Sequence, residues 1–242
     1  MKDLQTDNEV LLVSSRSTVG PVITADGSRV AYRDGEKNGT IYAVPSSGGE
    51  AEPLCVDCGD SYVQDWSKDN TRLLFVTGRP AAVFVLDLRS GKKTLALQRS
   101  KDLWQAQLSQ DDRWISVLEA VADEEGTRVL VAPFRDGSTP AAGEWIAVTT
   151  GEHWDDKPRW SPDGNLMYFT SLRDGFHCLW AQRLRPDTKQ PVGAAFAVYH
   201  AHSARLSMNN TGFLGLEMAV ARDQLYINLG ELSGNIWTTR LH

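Results

Sequence analysis

Three histidines in neighbouring loops of the chain could share a metal ion. His200 and His202 are two residues apart, so in a strand both would face the same side, and His153 precedes the acidic pair Asp155 and Asp156. Imidazole and carboxylate groups are common zinc ligands. The strict zinc spacings are missing, however, and loop histidines are more often ordinary surface or hydrogen-bonded groups. The sequence therefore assigns no metal and no cofactor.

The cysteines offer a second chemistry. Cys55 and Cys58 form a Cys-x-x-Cys pair, which indicates zinc or redox chemistry only beside a second pair or a helix start. Neither accompanies it in the sequence. With Cys178 the chain has three cysteines, too few for a disulfide scaffold. The pattern favours two unreactive thiols, with a loop disulfide under oxidising conditions as the alternative.

Acidic side chains could support hydrolysis of a glycosidic bond, which needs one carboxyl group as acid and another as base or nucleophile. The candidates are Asp65, Asp155, Asp156 and Glu217, but no signature fixes their roles. The Gly-x-Ser-x-Gly elbow, the P-loop and the dinucleotide fingerprint are absent. No catalytic residue is assigned, and the enzyme question stays open with a non-enzymatic role favoured.

Composition limits the partners. Of the 242 residues, 41% are hydrophobic and 23% are charged, which is typical of a folded globular chain. The formal net charge of −6 argues against nucleic acid and anionic lipid. No apolar run approaches the roughly 18 to 20 residues that span a bilayer, and residues 1–10 do not resemble a signal peptide. We expect a soluble chain without membrane insertion, which could be part of a larger multidomain protein. Its compartment stays open, and a periplasmic or extracytoplasmic place fits an excised domain.

A ten-residue segment recurs along the chain. Its clearest copies are Trp160–Phe169 and Trp66–Phe75, its weaker copies are Ile23–Tyr32 and Leu108–Val117, and a degenerate fifth is Met218–Ile227. Asp26, Asp69, Asp111 and Asp163 mark the same position roughly 40 to 50 residues apart, the period of a four-stranded propeller blade.

Each copy is typical of a strand, a tight turn and a second strand. Because Asp accepts hydrogen bonds from nearby backbone N–H groups, the recurring Asp residues are predicted to be turn residues and not catalysts. A third strand is predicted in each repeat at Ile41–Val44, Val83–Leu88, Arg128–Phe134, Cys178–Leu184 and Ile236–Leu241. Outer strands are predicted at Glu52–Cys55, Thr94–Gln98, Trp145–Thr149 and Ala195–Tyr199.

The fifth repeat ends without an outer strand, and the β-rich run Val10–Val13 can supply it. That pairing would hide two sheet edges. The sequence therefore predicts an all-β fold over residues 1–242: a single closed β-propeller of five blades with four antiparallel strands each. The repeats cover approximately 16–55, 56–98, 99–149, 150–200 and 201–242, with residues 10–14 closing the ring.

The run Trp-Ser-Pro-Asp-Gly at 160–164, followed by Thr170–Gly175 and then Leu179-Trp180, resembles the repeats of TolB and its WD-repeat-like propeller relatives. The resemblance covers about residues 10 to 241 and is strongest in the fourth repeat. It implies a bacterial-type binding or sensor module, often the C-terminal part of a kinase or regulator.

Propellers generally bind at one mouth of the central channel, where the loops linking outer to inner strands and the loops between the middle strands converge. The residues predicted to line that mouth are Tyr62, Trp104, Trp154, Asp155, Asp156, Lys157, His202 and Arg205. Aromatic side chains beside Arg, Lys and Asp suit peptides, sugars or another protein. The alternative for each residue is a solvated loop end or an aromatic ring packed between blades.

The favoured function is therefore a non-enzymatic sensor or interaction module that binds a protein, a peptide or a small ligand at one channel mouth. One alternative is a glycan hydrolase or lyase that uses channel-mouth carboxylates. Another is a structural domain that positions a neighbouring kinase or regulator.

Overall fold

The computed structural model of the chain describes residues 6–15, 17–35, 39–121, 126–203, 205–212, 215–234 and 239. It contains four antiparallel sheets of four strands each, in which strands adjacent in sequence are adjacent in the sheet. The first sheet holds β1 (Thr18–Ile23), β2 (Arg29–Asp34), β3 (Thr40–Pro45) and β4 (Glu52–Cys55). The second holds β5 (Tyr62–Trp66), β6 (Arg72–Thr77), β7 (Ala82–Asp87) and β8 (Lys93–Leu97).

The third sheet holds β9 (Leu103–Leu108), β10 (Trp114–Ala120), β11 (Thr127–Pro133) and β12 (Ile146–Ala147). The fourth holds β13 (Asp155–Trp160), β14 (Leu166–Ser171), β15 (Cys178–Leu184) and β16 (Pro191–Tyr199).

Two small sheets follow the fourth. β17 (Leu206–Ser207) pairs with β20 (Gly230–Glu231), and β18 (Met218–Val220) pairs with β19 (Leu225–Ile227). Among the residues that the structure describes, the helices are two short 3₁₀ turns, Ala142–Glu144 and Met208–Thr211. Within the described ranges, no helix has the length and apolar character needed to cross a membrane.

The first strands of successive sheets lie side by side, since β1 contacts β5, β5 contacts β9, β9 contacts β13 and β13 contacts β18. Four buried apolar clusters fill the spaces between successive sheets. Ile41 of the first sheet and Phe75 of the second share one cluster, and Val129 of the third and Phe169 of the fourth share another. Burial between the faces of neighbouring sheets therefore holds the array together.

The recurring Asp residues close the turns between the first and second strands, as predicted. Asp69 Oδ1 accepts hydrogen bonds from the Ser67 hydroxyl at 2.7 Å and from the Thr71 amide at 3.1 Å. Asp163 Oδ1 accepts the equivalent bonds from Ser161 at 2.6 Å and Asn165 at 3.1 Å. These bonds occupy the carboxylates within the turns, which leaves them a structural role.

A β-bulge interrupts the pairing of the first and second strands in every four-stranded sheet. In the third and fourth sheets the bulge contains Gln105 and Lys157, whose φ angles are +52° and +53°. Bulges redirect side chains out of the regular alternation. The Gln105 side chain reaches Lys157 on the fourth sheet, and the Lys157 side chain reaches Glu217 in the segment before β18.

Most strands lie close to their predicted bounds. β4 and β15 begin and end at the predicted residues, whereas β16 starts at Pro191 instead of Ala195, and β12 is shorter than the predicted Trp145–Thr149. The predicted strand Ile236–Leu241 falls outside the described residues except for Thr239. The third strand of the fifth repeat therefore stays a prediction.

The N-terminal segment differs from the expectation. Val10–Val13 carries no strand, and Leu11 is 79% exposed. Val10 lies against the turn at Gly48 of the first sheet, where a Cβ atom added to Gly48 would be 3.2 Å from Val10 Cγ1. This contact holds the segment beside the first sheet. Because the expected partner strand lies largely outside the described residues, closure of the ring through residues 10–14 stays a prediction.

Cys55 and Cys58 form a disulfide, and their Cα atoms are 5.7 Å apart. The preference of the sequence for two unreactive thiols was therefore wrong, and the loop disulfide given as the alternative is the one found. The reason is local: Cys55 ends β4, and the following turn brings Cys58 back within the usual Cα separation of a disulfide. Cys178 is a free and buried cysteine.

Candidate functional site

Tyr62 and Trp104, two of the predicted mouth residues, line one cleft between the second and third sheets. Tyr62 is the first residue of β5 and Trp104 the second of β9, and the residues are 47% and 37% exposed. The cleft has a volume of about 380 Å³, within the usual range of ligand pockets. Its other lining residues are Asp60, Val76, Thr77, Gly78, Arg79, Ala81 and Asp102.

The charged groups around the cleft hold its walls in place. Asp60 Oδ1 is 2.6 Å from Arg33 Nη2, and the Arg33 guanidinium lies 5.6 Å from the centre of the Tyr62 ring. Asp102 Oδ1 accepts a hydrogen bond from the backbone N–H of Ala81, which ties the β6–β7 loop to the third sheet. Both aromatic rings are therefore partly exposed, while these contacts hold the residues around them in place.

Exposed apolar side chains gather at the same end of the sheets as this cleft. We call it the loop end, defined by the described residues between second and third strands (Gly35, Gly39, 78–81, Val121, Gly126 and 172–177) and between successive sheets (56–61, 98–102, 148–154, 200–203 and Arg205). Residues at or beside these loops with large exposed apolar side chains are Val56, Tyr62, Trp104, Leu172, Phe176, Tyr199 and Leu206. At the opposite end, Ile23 and Val192 are comparably exposed, as is Val10 beside the Gly48 turn. The loop-end group includes both rings of the cleft, which favours this end as the contact surface.

The inner strands are joined by glutamines from one sheet to the next. Gln64 Oε1 accepts a hydrogen bond from the backbone N–H of Ala106 at 2.9 Å, and Gln105 Oε1 accepts one from the backbone N–H of Lys157 at 2.7 Å. Each bond satisfies a backbone donor that the bulge removes from strand pairing. The glutamines therefore connect the second, third and fourth sheets.

The predicted acidic pair is buried in this connection instead of exposed at a rim. Asp155 is 1% exposed and its Oδ1 lies 3.1 Å from Arg173 Nη2. Asp156 is also 1% exposed, and its Oδ1 accepts hydrogen bonds from Gln105 Nε2 at 2.5 Å and the Lys157 amide at 2.9 Å. The Asp156 carboxylate therefore joins the third and fourth sheets, whereas the Asp155 carboxylate holds the β14–β15 loop of its own sheet.

The neighbouring predicted residues are also engaged in contacts. Lys157 Nζ lies 3.2 Å from Glu217 Oε1, and Glu217 Oε2 lies 3.2 Å from Arg159 Nη2. The backbone oxygen of Trp154 accepts a hydrogen bond from Leu172 at 3.2 Å. These contacts link β13 to the segment before β18 and to the β14–β15 loop.

Two inner-strand carboxyl groups have raised pKa values because burial penalises their charged forms. The pKa of Asp156 is raised in spite of nearby Lys157, and among the described residues its Oδ2 has no hydrogen-bond partner. Burial raises the pKa of Asp65 to about 7, although its oxygens accept backbone N–H bonds from Leu108 at 2.8 Å and Trp66 at 2.9 Å. A carboxyl group that titrates near neutrality can donate a proton.

The last two predicted residues lie at the loop end but away from the cleft. Arg205 Nη2 is 2.7 Å from Glu231 Oε1, which fastens the short β17–β20 sheet. His202 Nε2 is 2.9 Å from Asp174 Oδ2 and belongs to a group with His200 and Cys178. In the described part of the chain, the group that could hold a metal ion does not include His153, Asp155 or Asp156.

The sequence matches no protein-family model and no curated protein. Among solved structures, it is similar to TolB from Acinetobacter baumannii, with a TM-score of 0.63 and 18% identity over 80% of this chain and 49% of that one. A TolB structure from Agrobacterium tumefaciens gives a TM-score of 0.62 and 20% identity over 78% of this chain and 67% of that one. The chain has the fold of TolB-type β-propellers. At these identities the likeness concerns the fold alone, and the chain spans about half of the Acinetobacter protein.

A peptidase has the same TolB-type fold in part of its length. The puromycin-hydrolyzing peptidase of Mycobacterium tuberculosis matches with a TM-score of 0.57 and 18% identity over 77% of this chain and 30% of that one. In TolB-type propellers each four-stranded sheet is a blade, so the Tyr62–Trp104 cleft lies between two adjacent blades.

Sequence reasoning expected the loops between the middle strands at the channel mouth but assigned no residue from the second loop of the cleft. It named only residues from the loops linking successive blades, whereas Thr77, Gly78 and Arg79 come from the loop between the second and third strands of the second blade. The Gly78-Arg79-Pro80 turn between two apolar runs is the signal that could have found them.

A second cleft, of about 530 Å³, opens at the opposite end between the third and fourth blades. Its lining contains no predicted site residue and consists of Arg113, Trp114, Pro133, Phe134, Arg135, Pro186 and Asp187.

Proposed function

We propose that the chain is a non-enzymatic binding module whose loop end receives a segment of a protein or peptide partner. The observation that carries this proposal is the pair of exposed rings, Tyr62 and Trp104, in one cleft of about 380 Å³. Aromatic side chains that are partly exposed and held by a supported frame are typical of interaction sites.

The chemistry of the lining favours a peptide over a purely apolar ligand. Asp60, Arg79 and Asp102 surround the two rings, so the cleft offers charge pairing together with stacking and cation–π contacts. Peptide side chains supply partners for each of these. The exposed apolar residues elsewhere on the loop end extend the surface beyond the cleft, as a protein partner requires.

We further propose that residues 1–242 form one closed propeller of five blades, with the repeat bounds and the closing segment 10–14 predicted from the sequence. The packing of β18 against β13 supports a fifth blade formed by the four strands β17, β18, β19 and β20. The β-bridge at Glu9 supports pairing of the N-terminal segment with a strand, and the 3.1 Å hydrogen bond from Ser15 to Asp34 fixes the end of this segment beside the first blade.

The Cys55–Cys58 disulfide favours an oxidising compartment, because cytosolic thiols are kept reduced. We therefore propose a periplasmic or other extracytoplasmic site of action. Differential alkylation of the protein isolated from its native cells measures the oxidation state, and two alkylated thiols at positions 55 and 58 would contradict this placement.

Peptide selection tests the binding proposal. The immobilised chain is presented with a displayed random-peptide library, and the affinities of the selected peptides are measured by calorimetry. We expect Tyr62→Ala and Trp104→Ala each to weaken binding about tenfold or more, as loss of an aromatic anchor costs about 2 kcal/mol.

Tyr226→Ala is the matched control, because Tyr226 has the same 47% exposure as Tyr62 but lies on β19, away from the cleft. Its affinity for the peptides should equal that of the wild type. Failure to select any peptide, or equal effects of the three substitutions, would contradict the proposal.

The second candidate function is a glycan hydrolase or lyase, which the Asp65 pKa of about 7 favours. The wild type and Asp65→Asn are incubated with a panel of oligosaccharides, and the products are separated by chromatography. Cleavage by the wild type that the variant loses would replace the binding proposal, whereas intact oligosaccharides support it.

A further inference from the structure

Four side chains of metal-ligating types meet at the loop end of the fourth blade. Asp174 lies in the β14–β15 loop, Cys178 begins β15, and His200 and His202 follow β16. One ligand atom from each side chain lies within 4.8 Å of all the others. The antiparallel pairing of β15 and β16 brings residues more than twenty positions apart in sequence into this one group.

The histidine rings and the carboxylate already converge on one point. Asp174 Oδ2 is 2.9 Å from His200 Nδ1 and 2.9 Å from His202 Nε2, and the two ring centres are 4.7 Å apart. A tetrahedral ion with bonds of about 2.0–2.3 Å separates its ligand atoms by roughly 3–4 Å. Only a small outward movement of these side chains is needed to admit such an ion.

The surroundings hold the group in this arrangement. The Phe176 ring packs at 4.6 Å from the His202 ring, and the edge of Trp180 meets His200 at 5.9 Å. The backbone N–H of Ala201 donates to Cys178 Sγ at 3.3 Å and fixes the position of the sulfur. Supported ligands and a donor to the sulfur are features of built metal sites.

We propose that Asp174, Cys178, His200 and His202 bind one divalent transition-metal ion of the zinc type. Two neutral imidazoles, one carboxylate and one thiolate carry a total charge of −2, which a divalent ion neutralises. Sulfur and nitrogen ligands select zinc or cobalt and disfavour calcium and magnesium, which take oxygen ligands. Binding releases the thiol proton of Cys178 to solvent.

The position of the group gives the ion a structural role and leaves it accessible. The side chains of His200 and His202 are 50% and 45% exposed, whereas Cys178 is fully buried beneath them. A bound ion would join the β14–β15 loop to the connection between the fourth and fifth blades. It would thereby stabilise the blade contact that follows β16.

Cobalt(II) spectroscopy and zinc(II) calorimetry on the full 242-residue chain, after removal of bound metals by chelation, test this site. We expect one zinc ion per chain. We also expect the intense visible bands of tetrahedral cobalt and a sulfur-to-cobalt charge-transfer band in the near ultraviolet. His202→Ala should weaken zinc binding by about tenfold or more. Cys178→Ser should abolish the charge-transfer band.

Two control variants test whether zinc binding and the charge-transfer band depend on the four proposed ligands. His177→Ala removes the histidine next to Cys178, whose Nδ1 instead lies 2.8 Å from Asn209, and should leave zinc binding unchanged. The double variant Cys55→Ser, Cys58→Ser removes the other two cysteine sulfur atoms and should keep the charge-transfer band. His202 is exposed, so its variant reports on binding even if Cys178→Ser fails to fold.

Three results would overturn the proposal: no zinc binding by the folded wild type, an octahedral cobalt spectrum, or wild-type zinc affinity in His202→Ala. In each of these cases the group is a hydrogen-bonded cluster in which Asp174 accepts from the two histidines. Because the group does not line the Tyr62–Trp104 cleft, peptide binding and zinc binding can fail independently.

Discussion

The indole Nε1 of Trp160 donates a hydrogen bond to the backbone oxygen of Gln107, 3.2 Å away on the preceding blade. Trp66, at the equivalent position of the repeat, makes the same bond to the backbone oxygen of Val22 at 3.2 Å. The repeated tryptophan therefore fastens its own blade to the one before it. This relationship explains why the residue opens the repeat motif.

Trp160→Phe should lower the free energy of unfolding by about 1–3 kcal/mol, because it removes the bond to Gln107 and leaves a small cavity. Urea unfolding followed by circular dichroism measures the loss. Trp180→Phe is the matched control, since within the described residues Trp180 Nε1 is buried and has no hydrogen-bond partner. Equal losses in the two variants would show that the bond to Gln107 contributes nothing.

Glu119→Gln should destabilise the protein by about 2–4 kcal/mol, because two cations would lose their common anion. The Glu119 side chain is 3% exposed and pairs with both Arg99 and Arg128. Glu144→Gln affects an exposed pair with Arg135 and should cost less than about 1 kcal/mol. Urea unfolding of both variants tests the contrast, and a smaller loss in Glu119→Gln would contradict it.

Asp69→Asn should make stability less sensitive to acid. Hydrogen bonds, first from the Ser67 hydroxyl and then from Thr71, lower the pKa of Asp69 to about 2. Because this pKa lies below that of the unfolded chain, the stabilisation is present above about pH 4 and is lost as pH falls through 2. The variant should take up about one proton fewer on acid unfolding.

Urea unfolding between pH 2 and pH 6 gives the slope of stability against pH for the wild type and Asp69→Asn. An unchanged slope in Asp69→Asn would mean that its carboxylate is not stabilised by the turn.

Deletion of residues 1–14 should lower the melting temperature and increase aggregation, because it would expose the sheet edge that this segment is proposed to cover. Differential scanning calorimetry and light scattering measure both effects. A shorter deletion of residues 1–5 serves as the control and should have little effect. An unchanged melting temperature after removal of 1–14 would count against closure.

The sequence by itself determined the repeated unit. Asp163 and Gly164 specify a turn through side-chain hydrogen bonds and a positive φ, and the flanking alternation of apolar residues specifies strands, so local chemistry was enough to predict four strands per blade. The predicted bounds of the strand Cys178–Leu184 agree with the structure at both ends.

The tertiary structure decided what those units bring together. The sequence placed Asp155 and Asp156 at the channel mouth, but both are buried: Asp155 pairs with Arg173 of its own blade, and Asp156 accepts a hydrogen bond from Gln105 of the preceding blade. Asp174 and Cys178 meet His200 and His202 only because β15 and β16 pair. A turn depends on residues a few positions apart, whereas these sites depend on strand pairing and on the packing of blades, which no local pattern encodes.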